Sequence, residues 1–230
     1  MTHLGFELSK ADPDVWFHEG KRKNGEIMYT YVLLHTDNCP VILDRAEAIL
    51  CDEISRYFVL KEELIGPPSQ YLGGKLHKVT LENGIDEWAF GSAHYVNATV
   101  DNVDTYLKSK EEKLVAQAPA PLSNGYRPAI DVSSELQPAE ASHFHSLIGI
   151  LCWIVELGRA DICIEVSMMS SYLALPREGH MKELFHIFAY LKKHHNAEMI
   201  FDPSEPKLNE SLFPAQDWSF SVYGIEDLKE

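Results

Sequence analysis

Apolar positions recur along the chain with two periods, which divide it into a strand-rich first half and a helical second half. Residues 29–34 and 41–43 are apolar runs rich in β-branched and aromatic side chains, separated by the polar stretch His35-Thr36-Asp37-Asn38. With Asn38 and Pro40 marking the bend, this predicts two strands joined by a tight turn. Upstream, Asp14-Val15-Trp16-Phe17-His18 follows the breaker Asp12-Pro13 and predicts a short strand, and Asn24-Gly25 is a hairpin turn signal. Downstream, Asp44 and Glu47 form a capping-box pattern, and Ala46, Ile49, Leu50, Ile54, Tyr57 and Phe58 recur at helical spacing. That helix should lie across the sheet and bury its apolar face there. Residues 71–81 and 85–90 flank the turn signal Glu82-Asn83-Gly84 and predict a second hairpin. Gly73-Gly74 inside its first strand predicts a bulge or a close backbone approach.

From Ser92 the period changes to that of a helix. Ser92 occupies an N-cap position, and Val96, Val100, Val103 and Leu107 form one apolar stripe. Residues 109–138 contain Pro119, Pro121, Pro128 and Pro138 and predict a partly extended linker crossing the surface. Three helical stripes follow: Leu147, Ile148, Leu151, Ile154 and Val155; then Ile162, Val166, Met169 and Leu173; then Met181, Leu184, Phe185, Phe188 and Leu191. Residues 197–201 predict a strand. The tail from Asp202 carries seven acids against Lys207 and Lys229. The fold class expected is α+β, with a small antiparallel sheet region over residues 1–108, the linker over 109–138, a helical region over 139–201 and an acidic tail over 202–230.

Composition narrows the class. A hydrophobic content of 45% over 230 residues supports a sizeable core. No apolar run reaches the roughly 20 residues of a membrane helix, and the N-terminus lacks a basic-then-apolar leader pattern, so no membrane partner is expected. Cys39, Cys51, Cys152 and Cys163 form no Cys-x-x-Cys pair, and an intracellular, reduced protein is the expectation. His143, His145 and Cys152 are the nearest approach to a zinc set, without a fourth ligand at a standard spacing. The net charge of −15 runs against the basic surface that usually supplies affinity for phosphate backbones.

Asp37 and Asn38 at the hairpin tip are either turn formers or a carboxylate site held on a rigid scaffold. The tip, the helical pattern after it and Gln70-Tyr71-Leu72-Gly73-Gly74-Lys75-Leu76 together resemble the palm of a copia-type retrotransposon reverse transcriptase. The resemblance continues through Ser146-Leu147-Ile148-Gly149, Gly158-Arg159-Ala160-Asp161-Ile162 and Leu175-Pro176-Arg177-Glu178-Gly179-His180, and it ends in Ile187-Phe188-Ala189-Tyr190-Leu191-Lys192. It spans about Gly5 to about Trp218. It implies the C-terminal part of a polymerase palm followed by a thumb-like or connection region, a primer–template as partner, and Mg²⁺ as the family's cofactor.

Nucleotide addition by that family needs two divalent ions clamping an in-line displacement, and hence several converging carboxylates. Family members carry Tyr-Val-Asp-Asp where this chain has His35-Thr36-Asp37-Asn38. Asp37 is therefore the one remnant catalytic and metal-binding position, with weak Mg²⁺ binding at most. Asn38 replaces the second carboxylate, His35 replaces the aromatic residue, and the family's earlier aspartate has no counterpart in the chain. Leu72, Gly73 and Gly74 stand where the family supports the primer end. The expectation is a truncated RNA-directed DNA polymerase relative without activity of its own. The alternatives are an interaction module for protein or nucleic-acid ends, or one fragment of a larger polymerase with a missing upstream region.

Overall fold

The turn signal at Asn24-Gly25 closes the first hairpin of an antiparallel sheet. A computed structural model of the chain describes residues 1–22, 24–35, 39–42, 46–61, 65–202 and 204. In it β2 (Val15–Lys21) pairs with β3 (Ile27–Leu33), with Trp16 opposite Val32 and Phe17 opposite Tyr31. Gly25 takes φ +88° and the Asn24 side chain accepts a hydrogen bond from the Glu26 amide, so the turn uses both residues for their backbone chemistry. Short flanking strands β1 (Glu7–Leu8) and β4 (Val41–Ile42) complete the order β1-β2-β3-β4.

Alternation along β3 buries Thr30 and Val32 and exposes Ile27, Tyr29 and Tyr31. Val32 joins Phe6, Ile49 and Ile54 in a small core, with Trp16, Leu34 and Val41 against it. The helix expected to continue to Phe58 is instead short. Helix α1 (Ala46–Ala48) runs into a π-helical turn over Ile49–Glu53 and a 3-10 turn over Ile54–Arg56. The wide turn places Ile49 and Ile54, five apart, on one inward face. Past it, Tyr57 and Phe58 are rotated outward and exposed. The proposed cap at Asp44 lies outside the described residues.

A second antiparallel sheet has the order β5-β6-β7-β8, from β5 (Gln70–Tyr71), β6 (Gly74–Thr80), β7 (Asp86–Gly91) and β8 (Glu198–Ile200). The expected bulge at Gly73-Gly74 is a turn. Leu72 and Gly73 both have positive φ, +48° and +89°, which reverses the chain in two residues and pairs Tyr71 with Gly74. Gly74 is also a site of close approach: a Cβ there would lie 2.2 Å from the Phe90 ring. The hairpin about Glu82–Gly84 and the strand near residue 198 are as the pattern predicts.

Four helices form the larger core: α2 (Ala93–Ser109), α3 (Pro138–Glu156), α4 (Cys163–Ser170) and α5 (Glu178–Lys193). Val96, Val100, Val103 and Leu107 of α2 meet Leu147, Ile148, Leu151 and Ile154 of α3 and Leu184, Phe188 and Leu191 of α5 in one cluster. Pro138 opens α3 at its first turn, and Gly158 follows its end with φ +93°. Ser92 sits at the N-cap of α2, but its hydroxyl makes no capping bond.

Residues 110–137, expected to cross the surface as a linker, are strapped to α5. Leu114 and Ala118 are buried in the helical core. The Ser123 amide donates to Glu183 at 2.9 Å, and His186 and His180 reach the carbonyls of Ala120 and Pro128. Pro128 is buried as well. Its three prolines, Pro119, Pro121 and Pro128, restrict the backbone of the strap.

Residues Met1–Ile200 form one compact unit and Phe201–Glu230 a second. In the second, the Ser204 amide donates to the Asp202 carboxylate at 2.8 Å. Among the described residues, no helix is long and apolar enough to cross a membrane.

Candidate functional site

Antiparallel pairing carries the chain from β2 and β3 to one end of the first sheet, where the resembled catalytic hairpin has its tip. Thr36, Asp37 and Asn38 lie outside the described residues, and the structure speaks to their surroundings only. The Leu33 amide donates to the Pro40 carbonyl at 3.0 Å, which closes the hairpin just below the tip. The Leu34 amide donates to the Asp14 carbonyl at 2.8 Å, and His35 Nδ1 lies 3.2 Å from Asp14 Oδ2. Asp14 therefore stands beside His35. In sequence Asp14 reads only as the start of the short strand after the breaker Asp12-Pro13; the register that sets Val15 opposite Leu33 is what brings Asp14 across to His35.

Tyr71 immediately precedes the Leu72-Gly73 turn, and burial, then the charges of Asp14 and Asp12, push its phenol above the ordinary value. Leu72 is partly exposed on the turn, whereas Gly74 is buried against Phe90.

The second motif in the resemblance forms a tighter constellation. Arg159 is 1% exposed, and its Nε and Nη2 donate to Asp161 at 2.8 and 2.7 Å. Tyr190 Oη donates to the same carboxylate at 3.0 Å. Burial raises the Asp161 carboxyl, but the Arg159 bonds and charge, with Tyr190, outweigh it and hold the group below the usual carboxylate value. The Arg-x-Asp spacing is visible in sequence; Tyr190 comes from α5 and is not. A further cluster was not foreseen at all. Asp131 accepts from Tyr126 Oη and from the amide and hydroxyl of Ser133, and Ser133 Oγ in turn accepts from the Gly179 amide at the start of α5.

The possible zinc residues do not converge. His143 stacks on Tyr106, His145 Nε2 lies 2.8 Å from the Leu173 carbonyl, and Cys152 is exposed. Among the described residues, no group of three or more His, Cys, Asp or Glu side chains is arranged to hold a metal ion. At the end of α5, Lys192 pairs with Asp104 of α2.

No protein-family model matches the chain, and neither curated proteins nor solved structures provide a match.

Proposed function

We propose that the chain is a relative of the copia-type reverse transcriptases, spanning the later part of the palm and the helical region after it, and that alone it does not add nucleotides. The observation that carries this reading is the shared order of the motifs along one chain, from His35-Thr36-Asp37-Asn38 through Gln70–Leu76 and Gly158–Ile162 to Ile187–Lys192. The chemistry at the tip supports inactivity. Asp37 is followed by Asn38, and Asp14, the nearby acid, has a carboxylate oxygen at His35. Two dications need more negative oxygens than one aspartate and one partly engaged neighbour supply. The residues described do not fit a two-metal centre.

Primer extension on an RNA template with Mg²⁺ tests this directly. No incorporation is expected from the chain alone; Mg²⁺-dependent incorporation that Asp37→Ala abolishes would overturn it. Duplex binding over a salt series tests the nucleic-acid contact, with salt-sensitive affinity supporting it and none dismissing it.

A second reading, an interaction module, draws on one specific surface. The outer face of the first sheet carries Ile27, Tyr29, Tyr31 and Ile42, each more than 40% exposed. Such a face marks contact surfaces more often than bare solvent.

A further inference from the structure

The register of β2 and β3 gathers aromatic and charged side chains on the outer face of the first sheet. Phe17 lies opposite Tyr31, Glu19 opposite Tyr29 and Lys21 opposite Ile27, and Tyr31 lies in turn opposite Ile42. The rings of Phe17 and Tyr29 are 6.4 Å apart and those of Tyr29 and Tyr31 6.3 Å apart, so the aromatic surface is continuous. Its charges have both signs and stand two residues apart on one strand. Glu19 and Lys21 are exposed, and neither makes an ion pair or a side-chain hydrogen bond among the described residues. We propose that this face pairs with the same face of a second copy of the chain. The inference rests on the reading of this sheet as a contact surface and names the partner.

Charge selects the second copy. A partner of one sign gains at one of these two positions and loses at the next: a phosphate backbone meets Lys21 and is repelled by Glu19, and a basic segment meets the reverse. A second copy matches both. A two-fold axis lying in the interface, across the strands at the level of Gly20 and Met28, turns the sheet over onto itself with its strands antiparallel. Each Glu19 then faces Lys21 of the second copy, and each Ile27 faces Tyr29 of the second copy. Both contacts occur twice, as an isologous interface requires. Packed sheets lie about 10 Å apart, a gap that a glutamate and a lysine side chain span between them. Phe17 and Tyr31 continue the apolar surface away from the axis. Tyrosine and phenylalanine at the centre with charges at the edge match the core and rim of protein interfaces.

Sedimentation equilibrium of the full chain over a concentration series tests the pairing. A reversible monomer–dimer equilibrium is expected. Tyr29→Lys, at a position 45% exposed, is expected to leave a monomer. Glu19→Lys and Lys21→Glu are each expected to weaken the dimer at least about tenfold, because each sets like charges face to face. Glu19→Lys also reduces the net charge of −15, so general repulsion alone would make that variant associate more tightly. Mixing the two single variants, or combining both swaps in one chain, sets opposite charges face to face again and is expected to recover the dimer. Tighter association of Glu19→Lys, indifference to the single swaps, or no recovery in the mixture overturns the proposal. A monomer at every concentration also overturns it. In that case a fluorescent apolar dye whose binding Tyr29→Lys removes would keep the face as a contact surface for another partner, and a dye indifferent to that change would end both readings.

Discussion

Tyr106 of α2 and His143 of α3 stack with ring centroids 3.9 Å apart and planes 30° from parallel, while His143 Nε2 is buried without a partner. Burial, reinforced by the Lys110 charge, pushes the imidazole below its ordinary value of 6.5. A depressed base binds fewer protons folded than unfolded, so its contribution is intact above about pH 6.5 and is lost as pH falls through the folded value. His143→Phe keeps the stack and removes the titration. Urea unfolding from pH 7.5 to 5 should show the variant gaining on the parent as pH falls, and a constant gap would contradict the assignment.

Asp161→Asn leaves the buried Arg159 guanidinium without its counter-charge. A loss of about 1.5–3 kcal/mol is expected at pH 7, the range for hydrogen bonds to charged groups. The Asp161 carboxyl is held below its ordinary value of 3.8, so its contribution is full above that pH and disappears as the carboxylate protonates below it. The parent–variant gap in chemical unfolding should therefore narrow only under pH 4.

Gly179 and Gly149 make a matched pair. A Cβ on Gly179 would fall 1.8 Å from Asp131 Oδ2, inside the Tyr126–Asp131–Ser133 cluster that anchors the strap to α5. Gly149, exposed in the middle of α3, would meet nothing within 4 Å. Thermal unfolding should find Gly179→Ala destabilised by about 1–3 kcal/mol and Gly149→Ala stabilised by about 0.5–1 kcal/mol.

Leu72 holds a left-handed φ that disfavours a branched side chain. Leu72→Asn gives the two-residue turn its preferred Asn-Gly chemistry and should add up to about 1 kcal/mol. Calorimetry checks the gain. A loss would mean that the leucine side chain itself packs usefully at that turn.

Where apolar spacing alone decides burial, the chain reads correctly. The Val96–Leu107 stripe and its partners on α3 and α5 are buried as their period requires. Reading fails where one local choice resets the frame. A π turn at Ile49 rotates Tyr57 and Phe58 outward, and a leucine at positive φ folds a presumed bulge into a hairpin. The proline-rich strap was illegible for another reason. Its anchors, Ser123 to Glu183 and Pro128 to His180, join residues more than fifty positions apart, and composition carries no trace of them. The same holds for the candidate sites. Arg159 and Asp161 are two apart and visible, while Tyr190 beside Asp161 and Asp14 beside His35 arrive only through tertiary pairing.

Strand β8 sits at the far end of the compact unit, yet it zips onto β7, whose residues leave the ribosome long before it. Until Glu198–Ile200 are synthesised, β7 offers an unpaired flank to any passing chain. Productive folding of the second sheet is therefore a late, post-helical event, and a nascent chain stalled before Glu198 should be a preferred client of chaperones.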